Sequence, residues 1–348
     1  MKTGVMVLNF GEPEEATKEA VEPFLERIFL ANAGLGGPST PEESAARSKK
    51  MAEARAPGLI EEYREIGGSP VNAQARQQAH QLQRELKRLG VDATCYIGMQ
   101  FVEPFIHEAA TKAKADGMER LVGLPVYPLC GKSTTVAALE DLQAALHDLE
   151  WEPQVREVTG WHRHPEYIQL HADHIGEYAV AQGIPLHNAG TKLVFSAHGT
   201  PLKYLDDGPR YLLYVEETCR MIARGLGVSD YVIGYQNHSN RPVDWTQPDI
   251  ETVIKEVEAE RVVVVAVSFM HEQSETLSEL DIELREEAET AGLDFYRVPI
   301  PHDSPRFTRL LADLVVNALH DEPVMGPLGM KRCLCRSRPN TFCLNASS

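Results

Sequence analysis

Eight short apolar runs, most of them followed by a stretch with helical spacing, constrain this chain more than any other feature. The runs are predicted as strands over 5–10, 94–101, 121–128, 155–160, 193–197, 231–236, 262–269 and 295–299. Amphipathic patterns predict helices over 73–89, 105–115, 135–149, 211–226, 249–259 and 275–291, with a last one over 305–319. Strands that alternate with helices at this spacing pair in parallel, because each crossover helix must pack back on a face of its sheet. The fold class expected is α/β, with two Rossmann-like doubly wound parallel sheets facing a central cleft. Residues 1–160 form the first half and 161–304 the second. The helix at 305–320 returns to the first half, and 325–348 is an extension carrying cysteines.

What the strands lack narrows the chemistry. None opens onto GxGxxG or GxxxxGK[ST], so nucleotide-dependent chemistry is not expected. The net charge of −17 argues against a nucleic-acid partner, which selects basic surfaces. No run approaches the roughly 20 apolar residues that span a bilayer. The apolar start is short and broken by Gly11-Glu12-Pro13, unlike a signal peptide. A cytoplasmic enzyme is expected, with peripheral contact at the inner face of the cytoplasmic membrane and homodimerisation left open.

Two stretches carry the chemistry. The run Lys192-Leu-Val-Phe-Ser-Ala-His-Gly-Thr-Pro201 ends its strand on His198, at the carboxyl edge where ligands of parallel sheets bind. The competing role for His198 is a capping or core imidazole. The run Glu275-Thr-Leu-Ser-Glu-Leu-Asp-Ile-Glu283 follows the strongest strand signal and spaces Glu275, Glu279 and Glu283 four apart on one helical face. Such a row is either a solvated acidic face, with Leu277, Leu280 and Leu284 inward, or a path for a cation or protons. Taken together, an imidazole and a carboxylate at converging strand edges suit a divalent metal in transit. A structural zinc would need four closed ligands, and this donor pair suits iron.

These pieces resemble the ferrochelatases. The resemblance rests on Val7-Leu-Asn-Phe-Gly-Glu-Pro13, Tyr63-Arg-Glu-Ile-Gly-Gly-Ser-Pro70, Tyr96-Ile-Gly98, Phe195-Ser-Ala-His-Gly-Thr-Pro201, Gly234-Tyr-Gln236 with Trp245, and the acidic run, in family order over nearly residues 4 to 320. It implies insertion of Fe²⁺, the substrate metal, into protoporphyrin IX or coproporphyrin III with release of two protons. It implies that His198 and Glu275 are the catalytic, iron-contacting pair across the macrocycle, that Glu279 and Glu283 continue as an acidic relay, and that Phe10, Tyr63, Ser69 and Trp245 contact the porphyrin. Gln273 stands where many members have a histidine, with His271 two residues further back. Phe10 stands where coproporphyrin-type members often have a tyrosine. The alternatives are a cobalt or nickel chelatase of another tetrapyrrole, or a tetrapyrrole carrier without turnover.

Of six cysteines, three crowd the tail at Cys333, Cys335 and Cys343. They resemble the triplet of family members that carry a 2Fe–2S cluster, which takes four thiolates. Cys130 is the candidate fourth, although the family's usual donor position corresponds to Lys132. A zinc clip or a disordered thiol tail are the other readings.

Overall fold

Val5, Met6, Val7 and Leu8 are wholly buried, and so are Val262, Val263 and Val264. Such unbroken apolar strands belong to sheets covered on both faces. The computed structural model describes residues 1–206, 210–237, 243–336 and 338–345. Its first sheet is built on β1 (Thr3–Asn9), β2 (Ala93–Met99), β3 (Arg120–Pro125) and β4 (Gln154–Val158), parallel in the order β2-β1-β3-β4. The second holds β5 (Thr191–His198), β6 (Tyr231–Gln236), β7 (Arg261–Ala266) and β8 (Asp294–Val298), parallel in the order β6-β5-β7-β8. The expected two groups of four parallel strands are present.

In chain order the helices are α1 (Lys18–Ala31), α2 (Pro41–Glu65), α3 (Val71–Arg88), α4 (Ile106–Ala115) and α5 (Ala137–Asp148), then α6 (Pro165–Gln182), α7 (Tyr211–Leu226), α8 (Ile250–Glu256), α9 (Arg285–Thr290) and α10 (Pro305–Leu319). One face of the first sheet buries Val5, Val7 and Leu124 against Leu82 and Leu86 of α3 and Phe307, Leu310 and Leu314 of α10. Thus α10 does pack back on the first sheet. Its other face packs Met6 and Leu8 on α4 and α5. The second sheet is covered likewise, by α6 and α7 on one face and by α8 and α9 on the other. Truncating a buried leucine of these layers costs about 2–5 kcal/mol. They form the rigid frame of the site.

Two elements differ from expectation. The tail is not a separate extension: β9 (Lys331–Arg332) and β10 (Thr341–Cys343) form a hairpin, and β10 pairs in parallel with β4, enlarging the first sheet to six strands. Segments of two and three residues are too short to show periodicity. The helix expected over 275–291 begins as a π-helical segment, Glu275–Leu284, and becomes α-helical only at α9. Such wide turns are rare, and those that occur lie frequently at functional sites. No helix among the described residues is long and apolar enough to cross a membrane.

In each sheet the strand order reverses at one point, between β1 and β3 in the first and between β5 and β7 in the second. Ligands of open α/β sheets bind beyond the carboxyl ends of the strands at such points. His198 closes β5, and Glu275 follows β7.

Candidate functional site

A cavity of about 230 Å³ is lined by the residues that follow the strands at both reversals. From the first sheet come Asn9, Phe10 and Glu12 after β1 and Val126 and Tyr127 after β3. From the second come His198 through Pro201 at the end of β5, and Ser268 through His271 and Gln273 through Glu275 after β7. The α1–α2 hairpin adds Phe24, Leu25, Leu59, Glu62 and Tyr63.

His198 is held by its surroundings. Its backbone N–H donates to Ser268 Oγ (2.8 Å), and its carbonyl accepts from Tyr211 Oη (2.9 Å). Gly199 sits where a Cβ would come within 2.7 Å of the Gln236 carbonyl oxygen and overlap Asn237, so only glycine lets the turn lie on β6. The ring Nδ1 meets the Gly199 carbonyl at 2.5 Å. A carbonyl only accepts, so Nδ1 carries a hydrogen, and in the neutral ring the lone pair falls on Nε2. That Nε2 lies 3.6 Å from Glu275 Oε1.

This distance bears on the relation expected from sequence. A flat macrocycle between two groups needs a van der Waals contact on each face, roughly 7 Å in all. At 3.6 Å, His198 and Glu275 converge on one point and leave no room for a ring between them.

Glu275 accepts a hydrogen bond from Gln273 Nε2. Burial raises its pKa above the ordinary carboxylate range, and the Gln273 bond counters part of that rise. Burial also raises Glu279, to about 8, with the like charge of Glu275 adding to it. Gln236 Nε2 donates both to Glu279 Oε2 (2.8 Å) and to the Glu275 carbonyl (2.9 Å), and Gln236 Oε1 accepts from Ser196 Oγ (2.9 Å). The serine of the Ser-Ala-His run therefore orients the amide that braces the acidic segment. Glu283 lies exposed, its pKa also raised, first by partial burial and then by Glu62. A turn closed by i→i+5 bonds takes more residues than an α turn, so carboxylates four apart still share one face. The row runs from cavity to surface.

Of the expected porphyrin contacts, Phe10, Tyr63 and Trp245 line the cavity. Phe10 packs on Phe101 with ring centroids 4.6 Å apart. Ser69 is not among the lining residues, and its hydroxyl donates to Glu12. His271 is buried against the cavity, where burial first and His302 second depress its pKa to about 3 and keep it neutral.

Glu12, Glu62 and Gln236 escaped the reading of the sequence. Glu12 and Gln236 stand inside family-like motifs, which is a usable signal. Glu62 gives none, since it lies on a helix remote in sequence, yet its charge pushes up Glu275, Glu279 and Glu283.

Four cysteines gather on the first sheet's far edge. Cys343 ends β10, and Cys333 follows β9, its N–H donating to the Thr341 carbonyl (2.9 Å). The Cys333 thiol is drawn down to about 6, first by a hydrogen bond from Cys343, and further by backbone N–H groups of Cys335 and Arg336. Burial raises Cys130 to about 12, and the proximity of Cys333 and Cys335 adds to the rise. Cys333 thus lies near each of the other three. Among the described residues, however, no three donor side chains already enclose a metal-sized point. Cys95 and Cys219 lie elsewhere, on β2 and α7.

The model of the ferrochelatase family matches residues 2–319. A ferrochelatase of Synechocystis sp. is 37% identical over 341 residues, covering 92% of this chain and 84% of its own. One of Synechococcus sp. (strain RCC307) is 36% identical over 334 residues, covering 91% and 83%. Among solved structures, SirB from Bacillus subtilis with Fe³⁺ superposes with a TM-score of 0.51 at 9% identity, covering 91% of this chain and 95% of that one. That likeness bears on the fold alone.

Proposed function

The chain belongs to the ferrochelatase family and inserts ferrous iron into a porphyrin for haem biosynthesis, and we propose that His198 and Glu275 perform the insertion together from one face of the ring. The observation that carries this reading is the 3.6 Å approach of His198 Nε2 to the Glu275 carboxylate inside the cavity. Insertion replaces two pyrrole N–H protons by one dication. Nε2 accepts a proton or holds Fe²⁺ as it sheds water, and Glu275 neutralises the cation's charge. With Glu279 raised to about 8, carboxylates deep in the row hold protons near neutral pH and pass them outward to Glu283. Phe10, Tyr63 and Trp245 are proposed to pack on the macrocycle, where flat apolar contact suits aromatic side chains.

The experiment is the pair of variants His198→Ala and Glu275→Gln, assayed for iron insertion and for porphyrin binding. The proposal expects insertion to fall at least a hundredfold in each while porphyrin affinity stays within threefold. A full insertion rate in His198→Ala would overturn it.

A 2Fe–2S cluster is the second part of the proposal, held by Cys130, Cys333, Cys335 and Cys343. Its support is the nearness of Cys130, Cys335 and Cys343 to Cys333, whose thiol is drawn toward thiolate. When bound, such a cluster supplies a one-electron redox centre. These residues would also fasten the tail hairpin to the loop after β3. The cytoplasm is the proposed compartment, a reading supported by six cysteines in a chain of this size, which suit thiol chemistry better than a disulfide framework.

A further inference from the structure

Glu12 is 4% exposed, yet it faces the cavity and spans parts of the molecule remote in sequence. Gly11, at φ +77°, turns the chain here, and a Cβ on it would meet Val102 and Met99. The backbone of Glu12 is then pinned at both ends by one amide: its N–H donates to Asn72 Oδ1 (3.1 Å), and its carbonyl accepts from Asn72 Nδ2 (2.7 Å). The carboxylate reaches across the cleft. Its Oε2 accepts from Ser69 Oγ and from the Ser274 N–H (3.2 Å), and its Oε1 accepts from Ser274 Oγ. Ser274 is the residue immediately before Glu275 and opens the acidic segment. No side-chain cap of the ordinary kind closes that segment; the N–H of its capping residue, Ser274, finds its acceptor instead in the turn after β1.

We propose that Glu12 is the positioning residue for Glu275: its carboxylate ties Ser274 of the second half to the Ser69 turn of the first, and so holds Glu275 against His198. The inference rests on the reading of Glu275 given above. Without the tie, the Ser274 end of the acidic segment keeps Thr276 N–H and Leu277 N–H on the Gln273 carbonyl and the Gln236 amide on the Glu275 carbonyl, but loses the bonds that fix Ser274 itself, so the start of the segment loosens. The role is geometric, so a neutral side chain of the same shape can fill it. In Glu12→Gln the amide oxygen accepts from Ser69 and the Ser274 N–H, while the amide N–H donates to a reoriented Ser274 hydroxyl.

The test compares Glu12→Gln, Glu12→Ala and Ser69→Ala in the full chain. Kinetics are resolved into KM for iron, KM for porphyrin and kcat, and Co²⁺ binding without porphyrin is followed by its visible absorption. The expected result is a loss of at least tenfold in Co²⁺ affinity and in kcat/KM for iron in Glu12→Ala, with porphyrin KM within twofold. Glu12→Gln stays within threefold of the parent on every readout, and Ser69→Ala falls between. Parent-like Co²⁺ affinity in Glu12→Ala overturns the proposal, as does a Glu12→Gln variant as impaired as Glu12→Ala, or a loss carried by porphyrin KM. If Glu12→Ala does not fold, Ser69→Ala decides by the same criterion. Glu275→Gln run alongside separates the two levels. Unchanged Co²⁺ binding there defeats the reading of the site, whereas loss there with none in Glu12→Ala defeats this inference alone.

Discussion

Glu279→Gln isolates the cost of burying the acidic row. The carboxyl of Glu279 moves from its ordinary 4.5 to about 8 in the folded chain, mainly through burial and then through Glu275. A group whose folded pKa is raised binds its proton more tightly when folded. Its stabilising contribution is therefore complete below the unfolded value and is lost as pH rises through the folded one. The window runs from about pH 4.5 to about pH 8. A difference of about 3.5 in pKa at about 1.4 kcal/mol each caps the loss near 5 kcal/mol. Glu279 faces a cavity open to water, and solvent screening reduces the loss to about 1–2 kcal/mol. In Glu279→Gln the amide oxygen still accepts from Gln236, but no charge develops. Urea unfolding of the metal-free protein at pH 4 and pH 9 reads the effect. The two proteins should nearly match at pH 4, and the variant should be more stable by about 1–2 kcal/mol at pH 9. Parallel pH profiles would refute the argument that burial raises this carboxyl.

Ser196→Ala removes the donor to Gln236 Oε1 and leaves a buried acceptor unpaired, costing about 1–3 kcal/mol of unfolding free energy in urea titration. Because Gln236 braces Glu279 and the Glu275 backbone, KM for iron should rise several-fold while porphyrin KM stays constant. Anaerobically purified protein should show charge-transfer absorption in the visible and about two irons per chain, and Cys343→Ser should abolish both. Loss of neither band nor iron in that variant removes Cys343 from the ligand set.

The frame was legible because its strands are buried on both faces and so read as unbroken apolar runs. All eight lie within three residues of their expected ends. The pair His198 and Glu275 was legible for a related reason, since each sits just beyond a strong strand. What escaped was set by tertiary packing. Glu12 and Glu62 act on the acidic row from residues more than two hundred positions away, which no local period reports. The π turn at Glu275 has the same composition as an α turn and depends on what holds its ends. The hairpin of β9 and β10 exists because β4 offers an edge, a property of the sheet rather than of the tail. The 3.6 Å approach of the imidazole to the carboxylate is a distance, and spacing along the chain carries no distance of that kind.

Co²⁺ located by anomalous diffraction in crystals of the protein tests the centre of the account. The account predicts one ion bound at once by His198 Nε2 and a Glu275 oxygen, each at about 2.0–2.2 Å as such donors hold a comparable dication. An ion that ignores both side chains, or that binds either one with the other turned away, would contradict it.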